Sequence, residues 1–275
     1  MSVDAVTLGA MTILVTGATG NIGRKVVDRL LDLGVEDIRA LTTDPAKANL
    51  PAGVQVVTGF LGKPETLSVA LADVDRVYLA PFPRTIGITL EMMAAAGVSY
   101  VVALSGGAHW QEHADTVAAA AVPNTQLGPG EFCENFAMWA SQIKTGVVRD
   151  MQPDAVQSPV SMNDIARVAA HLLADRRDAH LGQMYELTGP ESLTRAEIAR
   201  QIGVGLGTSV EMQRCSRAEA EELLRPVMGD GAHWYLDLFD QTAEPQAAND
   251  NVERLTGTPA ESMAQWAARN RELFY

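Results

Sequence analysis

The stretch HWQEH, from His109 to His113, puts two histidines four residues apart with a glutamate between them. On a helix, positions i and i+4 share one face, so both imidazoles would reach one point in space. The spacing H-x-x-E-H is that of a zinc-binding helix in one class of metalloprotease. Imidazole also titrates near neutrality, so the same pair suits proton transfer, with Glu112 or Asp115 orienting a ring. A third reading is an ordinary helix start whose histidines are satisfied locally. Ser105, shortly before the pair, adds a hydroxyl suited to holding a substrate carbonyl, or a plain loop serine.

Two aromatic clusters offer walls for a substrate. Phe132, Asn135, Phe136, Met138 and Trp139 share the segment EFCENFAMWASQI (131–143), and His233, Trp234 and Tyr235 are consecutive. Trp110 lies inside HWQEH itself. Aromatic and methionine side chains at helical spacing also build cores, so both roles stand open for these positions.

These residues must be held by elements, and the first half of the chain alternates in a clear rhythm. TILVT (12–16), DIRALT (37–42), VQVV (54–57), RVYLA (76–80), VSYVVALS (98–105) and NTQLGPG (124–130) read as strands. Helices fall between them at 21–33, 64–72, 88–97 and 109–121, the first stopped by Gly34. Strands separated by helices predict an α/β fold of Rossmann type: a doubly wound parallel sheet covered on both faces. Beyond Glu131 the rhythm changes to an aromatic helix at 131–143 and amphipathic helices at 162–175, 194–203, 216–224 and 259–274. Short strands, QMYELTG and SVEMQRC, lie between the later helices. The expected organisation is a dinucleotide-binding domain over 11–130, with some later segments returning to it, a smaller α+β substrate lobe over 131–275, and an N-terminal extension over 1–10.

The loop TGATGNIGR follows the first strand and opens the first helix. Gly17, Gly20 and Gly23 allow a tight turn, close approach of backbone to a diphosphate, and packing of helix on strand. Thr19, Asn21 and Ile22 belong to the same turn, and Ala80 and Pro81, at the end of the fourth strand, are further candidates to bind the cofactor.

From Met11 to Phe274 the chain resembles the NmrA-like branch of the atypical short-chain dehydrogenase/reductase family. TGATGNIGRKVVDRLL, IRALTTDPAKANLPAGVQVVTG, PETLSVALADVDRVYL, YELTGPESLTRAEIA and LTGTPAESMAQWA carry the likeness. The resemblance implies bound NAD or NADP and a substrate cleft between the Rossmann domain and the C-terminal lobe. Relatives that hold NADP usually carry an arginine where this chain has Thr43, beside Thr42; Arg39 and Lys47 are the substitutes at hand. An aspartate that bonds adenine in similar proteins is replaced by Phe60, whose ring offers stacking instead.

Typical dehydrogenases of this superfamily pair Tyr-x-x-x-Lys, yet none of the four lysines, Lys25, Lys47, Lys63 and Lys144, lies four after a tyrosine. HWQEH follows the fifth strand, at the sheet edge where Rossmann folds place reacting groups, so acid–base work falls to His109 or His113, with His109 nearer the strand end. The zinc reading is set aside, because no third ligand is indicated and the resemblance is to a family without metal; no metal is expected.

The leading expectation is an NAD(P)H-dependent reductase of a conjugated or aromatic carbonyl, quinone- or polyketide-like. The alternatives are a redox-silent dehydratase, isomerase or cyclase using a histidine, and a dinucleotide-responsive binding protein. With 275 residues, 47% hydrophobic, and a net charge of -13, nucleic acid and anionic membrane are not expected partners. Cys133 and Cys215 have no metal or disulfide spacing, and MSVDAVTLGA has no signal-peptide character. A cytoplasmic monomer or homodimer acting on a small molecule is the expectation.

Overall fold

The computed structural model describes residues 11–106, 110–175, 177–241 and 247–275. In chain order, the first elements are β1 (Ile13–Val15), α1 (Gly23–Asp32), β2 (Ile38–Thr42), β3 (Gln55–Thr58), α2 (Ser68–Leu71), β4 (Arg76–Leu79), α3 (Ile86–Ala95) and β5 (Tyr100–Leu104). Then come α4 (Gln111–Ala118), β6 (Asn124–Pro129), α5 (Ala140–Ile143), β7 (Val147–Asp150), β8 (Val156–Gln157), α6 (Met162–Ala174) and β9 (Met184–Leu187). The chain ends with β10 (Leu193–Thr194), α7 (Arg195–Leu206), β11 (Glu211–Arg214), α8 (Arg217–Met228), α9 (Gly231–Gln241), α10 (Asn251–Thr256) and α11 (Met263–Arg269).

Seven strands form one sheet in the order β3-β2-β1-β4-β5-β6-β9. Every pairing from β3 across to β6 is parallel. The order reverses between β1 and β4, which creates the crevice where open α/β sheets bind ligands. β1 and β5 are buried along their whole lengths, as strands covered on both faces must be, and this is why they read as continuous apolar runs.

The chain divides into two compact units. One comprises Met1–Gly128 and Ile165–Tyr185; the other comprises Pro129–Asp164 and Glu186–Tyr275. In the first, Val77, Val101, Leu79, Ala103, Leu90 and Met93 belong to one apolar core. In the second, α7 starts at a capping box, with the Thr194 hydroxyl accepting from the Glu197 N–H, and stops at Gly207 in the left-handed region. Its core gathers Phe136, Trp139, Ile198, Ile202, Trp266 and Phe274.

Three elements differ from expectation. The segment expected as an aromatic α-helix at 131–143 runs instead as 3-10 turns over Cys133–Trp139 before α5 begins. Three residues per turn bring positions i and i+3 into line, so Cys133, Phe136 and Trp139 fall on one face, and all three are buried. The helix expected in the C-terminal lobe at 162–175 groups, from Ile165 onward, with the first unit. QMYELTG, also expected in that lobe, contributes β9 to the edge of the large sheet. SVEMQRC forms β11, which pairs in parallel with β7, a strand too short to stand out in the sequence. No helix among the described residues is long and apolar enough to cross a membrane.

Candidate functional site

The glycine loop sits at the sheet's reversal point. The Thr16 hydroxyl donates to the Tyr78 carbonyl at 2.9 Å and accepts from the Ala80 N–H at 2.7 Å, tying the ends of β1 and β4 together. Gly17 takes φ +60°, and a Cβ there would stand 3.0 Å from that of Ala80. A Cβ on Gly23 would fall 2.1 Å from the Gly17 carbonyl oxygen, so only glycine fits. The turn is closed by Gly20 N–H donating to Gly17 at 2.8 Å. Thr19, Gly20 and Asn21 are exposed, Ile22 is buried beneath them, and α1 has no acidic residue in its first turn. An exposed backbone cradle at a helix N-terminus, without carboxylates, fits a diphosphate. Ala80 and Pro81, both half-buried, form the neighbouring rim.

At the end of β2, Thr42 is buried and accepts from the Asp44 N–H, while Thr43 is exposed. The two cations at hand differ in how firmly they are held. Arg39 is bound to Gln55 and to the carbonyls of Ala70 and Ala72, and Lys47 pairs with Asp44 at 2.9 Å. Phe60 follows β3 with its side chain partly exposed and meets Phe82 edge to face, centroids 5.2 Å apart. Phe82 is a site neighbour that sequence reasoning missed, because a lone aromatic after a strand carries no periodic signal.

At the end of β5 the structure brings together Ser105 and His113. The Ser105 hydroxyl lies 2.8 Å from His113 Nδ1, and both side chains are buried. Burial lowers the His113 pKa, so the ring stays neutral at physiological pH. Its Nε2 is buried and has no hydrogen-bond partner among the described residues. Trp110 packs an edge against the imidazole at 5.5 Å and is itself partly exposed. His109 lies outside the described residues. Among the described residues, no group of three or more histidines, cysteines and carboxylates is arranged to hold a metal ion.

The remaining candidates belong to the second unit. Phe136 and Trp139, expected to face a substrate, are core residues at 0% and 1% exposure, so neither reaches a ligand without the core opening. Phe132 is half-buried, and Asn135 is exposed, its amide donating to Glu131 at 2.6 Å. His233 stands between Glu221 and Asp237 at 3.5 and 3.6 Å, and Trp234 is 62% exposed, both on α9. Tyr235, by contrast, is buried beside Arg195. That arginine was not anticipated: it is buried, binds Asp150 at 2.6 Å, and its guanidinium lies over the Phe136 and Trp139 rings. Burial raises the pKa of nearby Glu131, against the opposing hydrogen bond from Asn135 and the charge of Arg195.

Residues 17–128 match a family model described as NAD(P)H-binding. Over 95% of its length the chain is 33% identical to a (4-alkanoyl-5-oxo-2,5-dihydrofuran-3-yl)methyl phosphate reductase of Streptomyces griseus, covering 99% of that protein. It is 30% identical to an NAD(P)H azoreductase of Xenophilus azovorans, covering 95% of this chain and 99% of that one. The crystal structure of Citrobacter sp. triphenylmethane reductase complexed with NADP(H) superposes with a TM-score of 0.83 at 22% identity, covering 94% of this chain and 99% of that one.

Proposed function

This chain belongs to the NmrA-like branch of the atypical short-chain dehydrogenase/reductase family, and on that premise we propose that it is an NAD(P)H-dependent reductase of a conjugated or aromatic carbonyl compound. The dinucleotide, when bound, supplies a hydride. Gly17, Gly20, Gly23 and the first turn of α1 would hold its diphosphate, and Thr42 and Thr43 would offer hydroxyls to its adenosine end.

The observation that carries the reading is the Ser105–His113 pair at the end of β5. β5 neighbours β4, whose end borders the glycine loop. Two tautomers satisfy the 2.8 Å contact. If Ser105 donates to Nδ1, an N–H is left buried and unpaired at Nε2; if Nδ1–H donates to Ser105, only a lone pair is left there. Orphaned donors are the rarer of the two in proteins. In the second arrangement the Ser105 O–H is left to donate to a substrate oxygen, which reaches this buried hydroxyl only where the groups packed over it part, and His113 is the residue that positions it.

Such a donor suits a conjugated substrate. Hydride addition to a quinone leaves a phenolate-like oxyanion, and a phenol's pKa is about 10. Solvent water can complete that protonation, and a neutral hydroxyl suffices to hold the charge as it develops. The oxyanion of a saturated ketone is far more basic and calls for a stronger acid, which the missing Tyr-x-x-x-Lys pair would supply. Two relatives support a conjugated carbonyl, one named for reducing an alkanoyl-substituted oxo-dihydrofuran phosphate and one, from Escherichia coli, a quinone oxidoreductase; the azoreductase acts on a conjugated N=N bond instead. A small-molecule substrate, without nucleic acid or membrane, is part of the same proposal.

The test is loss of the reduced nicotinamide absorbance when purified protein meets a panel of quinones, conjugated ketones and saturated ketones. Turnover with the conjugated members alone supports the reading. Turnover with none of them, beside measurable dinucleotide binding, favours a redox-silent enzyme or a binding protein.

A further inference from the structure

We propose that Phe60 and Phe82 form an aromatic bracket, Phe82 bracing Phe60 edge to face, whose open Phe60 face takes the purine base of the dinucleotide, so that this protein reads the face of the base and not its 6-amino group. The inference rests on the NAD(P)-binding reading and specifies how one end of the cofactor is held.

β3 and β4 are not neighbours: two strands separate them in the order β3-β2-β1-β4. At about 4.8 Å per strand, their ends are roughly 14 Å apart. The loops that follow them nevertheless meet, Phe60 from one and Phe82 from the other, with ring centroids 5.2 Å apart at 75°. The Thr85 hydroxyl donates to the Leu61 carbonyl at 2.6 Å and pins the two loops together. Gly62 leaves room for the rings, since a Cβ there would stand 2.5 Å from Phe60 and 2.8 Å from Phe82. The two loops therefore close over the same edge of the sheet that carries the glycine turn.

Phe60 is 40% exposed although wholly apolar, and it is not a loose side chain. Its N–H donates to the Thr66 hydroxyl at 3.0 Å, and its carbonyl accepts from the Lys63 N–H at 2.8 Å. A dinucleotide whose diphosphate lay on the glycine turn, in the crevice beyond the carboxyl ends of the strands, would have its base within the region that the β3 and β4 loops close over. Phe60 is the first side chain after β3, and an edge-to-face pair leaves a ring face open for stacking. The hydroxyl beside it is engaged as acceptor and as donor: Thr66 Oγ1 accepts from the Phe60 N–H at 3.0 Å and donates to the Lys63 carbonyl at 2.7 Å. No carboxylate occupies position 60 to accept from an exocyclic amine.

Stacking on an aromatic ring tolerates any base, because every base has a π-face. The wild-type protein should therefore bind NAD and nicotinamide hypoxanthine dinucleotide, which carries a 6-oxo group in place of the 6-amino group, with affinities within about threefold. Phe60→Ala should weaken both equally, by about tenfold or more, the range that base stacking supplies. Phe60→Trp should keep or improve both, and Phe60→Asp should restore a preference for the 6-amino form. Calorimetric titration of each variant with both dinucleotides reads all of these. A wild-type preference for the adenine form above about tenfold overturns the bracket, as does unchanged affinity in Phe60→Ala. If wild type binds neither dinucleotide while its circular dichroism shows a folded protein, the cofactor reading itself fails, and the bracket with it.

Discussion

His113 is held neutral by its surroundings, and that has a consequence for stability. Burial disfavours the imidazolium, so the folded-state pKa lies below the unfolded value of about 6.5. Between those two values the unfolded chain binds more protons than the folded one, and stability falls as pH drops. Above about 6.5 the ring is neutral in both states and adds no slope. His113→Phe should therefore flatten the part of the melting-temperature profile just below pH 6.5, measured against wild type. The same variant leaves the Ser105 hydroxyl without its partner, and turnover should fall about tenfold to a hundredfold with dinucleotide affinity unchanged. His113→Gln, which can still donate an N–H, should recover part of that loss. Recovery separates positioning from mere packing, since a purely structural role would follow side-chain volume alone.

At the scale of elements, the glycine turn is the feature most tightly set by sterics. Gly20→Asp would put a side chain 3.2 Å from the Gly17 carbonyl and a carboxylate where a diphosphate approaches. Binding of NAD(H) and NADP(H) should fall at least a hundredfold in a protein that remains folded by circular dichroism. This turn was fully legible in the sequence, because glycine spacing after a buried strand is a local signal. The alternation of β1 to β6 with helices was legible for the same reason. The second unit was less so. Arg195 and Asp150 are 45 residues apart, and no periodicity announces that they pair inside a core. The 3-10 turns of Cys133–Trp139 have an apolar spacing that an α-helix nearly shares, so the segment read as one. Arg195→Ala would leave Asp150 buried without its cation, a change that costs about 3–5 kcal/mol; urea unfolding would register it as a lower midpoint at unchanged slope.

Across the molecule as a whole, the ends of the parallel strands carry a glycine turn after β1, an exposed threonine after β2, an aromatic pair from the loops after β3 and β4, and a hydroxyl–imidazole pair after β5. With Arg39 held by Gln55 and two carbonyls and Lys47 only an exposed, surface-paired cation, preference for NADP(H) over NAD(H) should be modest. Thr43→Arg should strengthen NADPH binding by roughly tenfold through a new charge-assisted pair; a wild-type preference above about a thousandfold would show a phosphate-binding group elsewhere. The central claim is that Ser105 holds the substrate oxygen as hydride arrives. Its most direct test is single-turnover loss of NADPH absorbance with a quinone, comparing wild type and Ser105→Ala at matched cofactor saturation. The account predicts a rate lower by about 10²–10³-fold, the cost of removing one oxyanion donor, with NADPH affinity unchanged. A Ser105→Ala rate equal to wild type would contradict it.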